Sequence, residues 1–388
     1  MPNGSYFLKE NKIMELFCVK PTVHTFDKFC EFAEAFKLGE EDLILTETIM
    51  YETYIKKENL SCKVILKDAY DPGEPKEEVI DAILTEMKDW KLKRVIGIGG
   101  GSVIDIAKLL VVKDAYPIKD VIERKTPLII DKELIILPTT CGTGSEVTFG
   151  GIVTMKDTGL KTAIIDPILS SKHAVLVPEL LSTLPKKVFM HCSVDALGHS
   201  MESFLSATRG NELARAAGYR SISLVLDGYA RIIREGDGIL PELMKNFLMA
   251  SCLGGMAVNN GGAGPVHALA YPLGEVYHMS HGESIYQFLV PVLKHYEKKN
   301  DGALLQELKS LISIYLAKAD IENDNVFDGL AEMLNMIYPA RSLGAAGMKE
   351  SDIEPFTENV FAEKQRLLAA SYTEFMPEDA KRIYRECL

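Results

Sequence analysis

Arg94-Val95-Ile96-Gly97-Ile98-Gly99 is an apolar run that ends in glycine, and Gly100-Gly101-Ser102-Val103-Ile104-Asp105-Ile106-Ala107-Lys108 follows it directly. Three β-branched apolar residues, Val95, Ile96 and Ile98, spaced by glycine read as a buried strand, and the segment after the glycines has helical spacing. Strand, glycine turn and helix in that order make the opening of an α/β unit. The same alternation extends in both directions. Leu43-Ile44-Leu45-Thr46, Cys62-Lys63-Val64-Ile65-Leu66 and Leu134-Ile135-Ile136-Leu137-Pro138 read as further strands, and a short one is expected over 12–20, before Pro21. Helical patterns fill 25–38, 47–59 and about 76–90, the first marked by Phe26, Phe29, Phe32, Ala33 and Phe36. Together they predict a mostly parallel sheet with helices on both faces.

After Leu184-Pro185 the character changes. Residues 186–206, 211–234, 240–258, 284–296, 302–318 and 324–338 all carry helical spacing, with no strand alternation. The expected organisation is an α/β domain over 1–185 and an all-α domain over 186–388. A chain of 388 residues accommodates two such domains.

Composition narrows the function classes. The formal net charge of −12 disfavours nucleic acid and anionic membrane surfaces as partners. No apolar run is long enough to span a bilayer, and the first residues lack the pattern of a signal peptide. Seven scattered cysteines with no C-x-x-C form neither a disulfide framework nor a sulfur-rich zinc site. They point to a reduced, cytoplasmic protein.

Two loops have the chemistry of phosphate and sugar binding. Gly99-Gly100-Gly101-Ser102 lets backbone N–H groups approach a phosphate at a helix start. It is neither G-x-G-x-x-G nor a Walker loop, and a glycine-rich turn serves equally well as a tight structural turn. Pro138-Thr139-Thr140-Cys141-Gly142-Thr143-Gly144-Ser145-Glu146-Val147-Thr148 packs hydroxyls and glycines directly after a strand. That composition suits hydrogen bonds to phosphate, ribose or an amide, and also an ordinary polar loop.

A third signal lies in the helical half. Asp195 and His199 are four residues apart, so a helix presents both from one face. His267 and His281 are separated by Pro272 and Gly274, which places them on two elements either side of a turn. Any one of these residues also fits an ordinary helix face. As a set, three imidazoles and one carboxylate suit a divalent first-row metal such as iron or zinc, with a position left for substrate.

Gly-Gly-Gly-Ser-Val-Ile-Asp-Ile-Ala-Lys at 99–108, Pro-Thr-Thr-Cys-Gly-Thr-Gly-Ser-Glu-Val-Thr at 138–148, Asp195-x-x-x-His199 and the His267/His281 pair together resemble the iron-containing (group III) alcohol dehydrogenases. The resemblance runs from about residue 40 to about residue 300, and more loosely to the C-terminus. It implies a dehydroquinate synthase-like architecture: a Rossmann-like dinucleotide-binding domain, an all-α domain, and the site in the cleft between them. Cys141, Ala174-Val175-Leu176-Val177-Pro178-Glu179, Tyr271 and Tyr277-His278 bring the wording close to the branch of that family that acts on 4-hydroxybutyrate with NAD.

The resemblance also implies roles. Gly99, Gly100, Gly101 and Ser102 would hold the cofactor pyrophosphate, with Asp105 supporting the loop. Thr139, Thr140, Thr143 and Ser145 would line the nicotinamide half, and Lys161 would reach the nicotinamide ribose. Glu47 would receive the adenosine ribose hydroxyls and favour NAD over NADP by repelling a 2′-phosphate. Asp195, His199, His267 and His281 would bind one divalent metal, with Fe2+ expected and Zn2+ an alternative. Many members carry histidine where this chain has Tyr271; Tyr271 and His278 are therefore the candidates for moving the alcohol proton, together with the cofactor ribose. For the substrate carboxylate the sequence offers only Arg341, His278, Asn259 and Asn260. The implied reaction interconverts 4-hydroxybutyrate and succinate semialdehyde. Other expectations kept open are another primary alcohol or diol such as butanol or propanediol, and a non-catalytic nucleotide- or metal-binding protein. A phosphate-handling enzyme is disfavoured because few basic residues lie between 186 and 290. A homodimer or larger homo-oligomer is expected from the resemblance alone.

Overall fold

The computed structural model describes residues 15–388. Its sheet contains β1 (Thr22–Thr25), β2 (Asp42–Thr46), β3 (Lys63–Leu66), β4 (Arg94–Gly99), β5 (Glu133–Pro138) and β8 (His173–Leu176), and β6 (Gly150–Thr154) pairs with β7 (Lys161–Ile165) as a separate antiparallel hairpin. The six strands are parallel in the order β1-β8-β5-β4-β2-β3. Every residue of β2 is buried, as expected for a central parallel strand covered on both faces. Side-chain alternation sorts the two faces. Leu43, Leu45, Val95, Leu134 and Ile136 join one apolar cluster with Ile80 and Ile83 of α3 (Glu77–Glu86) and with Val103 and Ile106 of α4 (Gly101–Leu110). Ile44, Ile96, Ile98, Ile135 and Leu137 face the other way, into a cluster shared with Phe29 and Phe32 of α1 (Phe29–Ala35) and with the helical half. The two short helices α2 (Thr48–Met50) and α5 (Ile118–Ile122) lie in the crossovers.

From Lys186 onward the described chain is helical: α6 (Lys186–Leu205), α7 (Glu212–Glu235), α8 (Leu240–Gly261), α9 (Pro265–Tyr277), α10 (His281–Lys299), α11 (Ala303–Lys318), α12 (Val326–Ile337), α13 (Ile353–Glu363), α14 (Gln365–Leu368) and α15 (Pro377–Cys387). No helix among the described residues is long and apolar enough to cross a membrane. All seven cysteines are free thiols.

Three expectations need correction. Of the strand expected over 12–20, residues 12–14 lie outside the described residues and 15–20 are irregular; β1 begins after Pro21, where the Thr22 amide can donate to the Lys172 carbonyl at 2.9 Å. A proline belongs just before a ladder, since it has no N–H to give. Pro272 and Gly274 do not form a turn but lie inside α9, a largely buried helix whose packing overrides their poor propensity. The turn between His267 and His281 is at 278–280 instead. The strands β6, β7 and β8 carry no pattern that the sequence reading assigned.

Topology fixes where a ligand can sit. From β2 the chain moves to β3 at one side, while from β4 it moves to β5 at the other. The loops leaving β2 and β4 therefore diverge, which opens a crevice at their carboxyl ends. Glu47 follows β2 and Gly100 follows β4, on the two lips of that crevice.

Candidate active site

The two hydroxyl- and glycine-rich loops meet. Gly99 pairs in register with Pro138, so the segments that follow leave the sheet side by side. A methyl group added to Gly101 would lie 3.3 Å from Thr143 Cγ2, and one added to Gly100 would lie 3.4 Å from Thr140 Cγ2. The lack of side chains here leaves the start of the ten-residue helix α4 bare beside two threonines, a cradle suited to a pyrophosphate. Thr139 is buried, and its amide donates to the Gly99 carbonyl at 3.0 Å. Gly144 pins the second loop to the helical half. It has φ of +61°, and its missing Cβ would lie 2.4 Å from the Gly255 Cα of α8, so no other residue fits.

Ser145 is spent inside the loop. Its hydroxyl accepts from the Lys108 ammonium at 2.7 Å and donates to Asp105 Oδ1 at 3.1 Å. Asp105 Oδ2 also accepts from the Ile152 amide at 3.0 Å. Asp105 thus ties α4 to the second loop and to β6, whereas its expected support of the Gly99–Ser102 turn has no hydrogen bond here, and the Ser145 hydroxyl is engaged in the same network. The buried Lys108, which the sequence reading passed over, also donates to Thr148 Oγ1 and the Gly150 carbonyl. Burial drives its pKa down to about 8.

Glu47 is half-buried at the carboxyl end of β2. Burial raises its pKa; Lys67 opposes that and Asp68 adds to it. Lys161, at the start of β7, reaches across to α9. Its ammonium lies 3.5 Å from where a Gly274 Cβ would stand, and 2.7 Å from Glu74. It is near enough to His281 to help depress that imidazole.

The four metal candidates come from three helices. Asp195 and His199 are one turn apart on α6, His267 is in the first turn of α9, and His281 opens α10. One potential ligand atom from each falls within 4.8 Å of all the others. The Nε2 atoms of His281, His267 and His199 lie 3.4, 3.7 and 3.9 Å from Asp195 Oδ1. Bonds of about 2.0–2.2 Å to one cation separate neighbouring ligand atoms by roughly 3.3 Å or more. Asp195 Oδ1 and His267 Nε2 are buried and have no hydrogen-bond partner. Buried polar atoms without partners are costly, and a divalent cation satisfies both. The donor set therefore fits a resident metal.

Electrostatics agree with that fit. Burial opposes ionisation of Asp195, but the three imidazoles overcome it and hold the carboxyl well below its usual range. Burial drives His199 down to about 4, so it is the neutral ligand form at pH 7. Burial also acts against a charge on His267, yet Glu202 and Asp195 outweigh it and raise the pKa to about 9. A metal on Nε2 would displace the proton there.

Glu202 is the functional residue that the sequence reading missed. Its Oε2 accepts from His267 Nδ1 at 2.5 Å and from the Gly264 amide at 2.8 Å, and its Oε1 accepts from the Val266 amide at 2.6 Å. The first turn of α9 has no side-chain cap of its own, so Glu202 caps it from α6. The same carboxylate fixes the His267 tautomer and aims Nε2 inward. Its spacing was visible, since position 202 falls on the helix face of 195 and 199. Gly282 helps to seat His281: an added Cβ would lie 2.1 Å from the His191 carbonyl of α6. His281 is 46% exposed, which opens the cluster to the cleft.

Tyr271 lies one turn beyond His267 on α9, half-buried, with the Lys364 ammonium 4.1 Å from its ring centroid. Burial raises its pKa. His278 caps α9 in a left-handed conformation and is exposed. Arg341 pairs with Glu283 at 2.6 Å, and the Asn260 amide is taken up by Cys18 and Met256. These two candidate groups for the substrate carboxylate thus already have partners within the chain.

Most of the chain matches two family descriptions, Iron-containing alcohol dehydrogenase over residues 24–178 and Fe-containing alcohol dehydrogenase family, C-terminal, over residues 189–388. It is 38% identical over 373 residues to the 4-hydroxybutyrate dehydrogenase of Clostridium kluyveri, covering 96% of this chain and 100% of that one.

The chain belongs to the iron-containing alcohol dehydrogenase family.

Solved structures of the same shape include a sulfoacetaldehyde reductase from Bifidobacterium kashiwanohense in complex with NAD+, with TM-score 0.81, 18% identity, and coverage of 97% of this chain and 99% of that one. A 1,3-propanediol oxidoreductase aligns with TM-score 0.80 and 19% identity, covering 97% and 100%. At those identities the likeness bears on the fold alone.

Proposed function

We propose that this enzyme interconverts 4-hydroxybutyrate and succinate semialdehyde with NAD(H), at a metal held by Asp195, His199, His267 and His281. The observation that carries the reading is the identity to a 4-hydroxybutyrate dehydrogenase along the full length of both chains. A bound divalent iron supplies Lewis acidity to the alcohol oxygen, and NAD supplies the hydride acceptor. The chain's own residues position these partners. Residues 1–185 hold the nucleotide through Glu47, the Gly99–Ser102 turn, Thr139, Thr140, Thr143 and Lys161, with Asp105 and Ser145 bracing the loop from behind. Residues 186–388 hold the metal. Tyr271 and His278 border the way out of the cleft, and we assign them to handling the alcohol proton. Tyr271, un-ionised because it is buried, passes a proton by hydrogen bonding. A cytoplasmic homodimer or larger homo-oligomer is part of the same proposal.

The test is NADH formation by iron-reconstituted protein under anaerobic conditions, with 4-hydroxybutyrate and 1-butanol as substrates. A preference of about 10- to 100-fold in kcat/KM for the hydroxy acid is expected. Equal or better rates with butanol would discard the hydroxy-acid assignment and leave a general alcohol dehydrogenase.

Glu47 gives a separate prediction. Glu47→Ala removes the repulsion of a 2′-phosphate and the acceptor for ribose hydroxyls, so the NAD-over-NADP ratio of kcat/KM falls about tenfold. An unchanged ratio would take Glu47 out of the cofactor site.

A further inference from the structure

A hydroxy-acid substrate carries a carboxylate, and the walls nearest the metal are acidic: Asp195, Glu202 and Glu74. Recognition therefore requires cations that nothing else has neutralised. Arg341 is bound to Glu283, Lys161 to Glu74, and Lys108 is buried beneath the second loop. Three cations remain near α9. Arg209, just beyond α6, donates to the Asn259 carbonyl at 2.9 Å, and its Cδ stands 3.6 Å from where a Gly262 Cβ would be. Lys364 lies over the Tyr271 ring, and Arg366 is two residues on, in α14, which packs against α9. Among the described residues none of the three has a carboxylate within 4.0 Å. The side-chain nitrogen of Asn259 is likewise buried without a partner.

These groups converge. Arg366 is close enough to perturb both Tyr271 and Arg209, and its charge helps to depress the Arg209 guanidinium after burial has done so. Two guanidinium groups held near each other with no counter-ion make an anion site, because each disfavours the other until a carboxylate arrives. The spacing also suits the substrate. Tyr271 is one helical turn from His267, a rise of about 6 Å. An extended four-carbon hydroxy acid has roughly that length between its hydroxyl and its carboxylate.

We propose that Arg366 and Arg209, with the side-chain amide of Asn259, bind the substrate carboxylate beyond Tyr271 and so make this cleft select ω-hydroxy acids over plain alcohols. The inference rests on the hydroxy-acid reading above. Arg366 and Arg209 are specificity residues that touch the carboxylate and not the reacting carbon. Lys364, spread over the Tyr271 ring, adds positive potential without a directed bond.

The test compares wild type, Arg366→Met, Arg366→Lys and Arg209→Met on 4-hydroxybutyrate and 1-butanol, and titrates each NAD-saturated protein calorimetrically with butyrate. The ratio of kcat/KM for the hydroxy acid over butanol is expected to fall about 100-fold in R366M and at least about tenfold in R209M, mostly through KM for the hydroxy acid. R366K should recover part of the ratio, because it restores charge without the bidentate fork. Butyrate keeps the carboxylate and lacks the hydroxyl, and should bind R366M at least about tenfold more weakly. If the wild type prefers 4-hydroxybutyrate and both methionine variants keep that preference and butyrate affinity, the arginine site is overturned while the function stands. If the wild type itself shows no preference, the hydroxy-acid reading falls and takes this site with it.

Discussion

His267→Ala is expected to abolish alcohol oxidation while leaving NAD affinity at the wild-type level. His267 is one of the four proposed ligands, and its Nε2 is a buried atom with no hydrogen-bond partner. Removing even an outer partner of a metal ligand typically costs 10- to 100-fold in metal affinity, so loss of the ligand itself exceeds that. NAD affinity should hold because the residues proposed to contact it end or follow β2, β4 and β5 or, like Lys161, lie on β7, and none is on α9. Iron content after anaerobic reconstitution and dialysis, NADH formation, and a fluorescence titration with NAD read the three quantities separately. Unaltered turnover would remove His267 from the ligand set.

The second large effect is expected from Glu202→Gln, a change of one atom at a residue that touches neither substrate nor cofactor. The carboxylate accepts three N–H bonds, two from the backbone at the start of α9 and one from His267. Glutamine can satisfy donors only through its carbonyl oxygen, and its NH2 then faces an N–H group. At least one buried donor is orphaned, at a cost of about 1–3 kcal/mol. Iron affinity should fall about 10- to 100-fold, because the imidazole loses its orienting carboxylate. Denaturant titration of the metal-free protein measures the first effect, and competition with a chelator measures the second. A variant that is less stable but binds iron with wild-type affinity would make Glu202 a helix cap alone.

Much of this was legible in the chain. A central parallel strand is buried on both faces, so β4 appears as an apolar run, and the turn after it packs against Thr140 and Thr143 so closely that it appears as glycine. Asp195 and His199 announce themselves because one helix fixes their spacing. These signals are local, and the backbone period alone turns them into geometry. The hairpin β6/β7 was not legible because its burial is mixed. Helix α9 was not, because Pro272 and Gly274 carry a turn signature that burial overrides.

The sequence by itself determined the α/β-then-α order, the glycine turn, the hydroxyl-rich loop and the four residues that the fold gathers into one candidate metal cluster. Only the tertiary structure decided that Ser145 braces Lys108 and Asp105, that Glu202 reaches His267 across 65 residues, and that Arg366 comes within electrostatic reach of both Arg209 and Tyr271. The physical reason is that a residue's spacing on its own helix is set by backbone geometry, whereas its partner on another helix is set by which faces pack. That choice is made by the whole apolar core, and no window of sequence contains it.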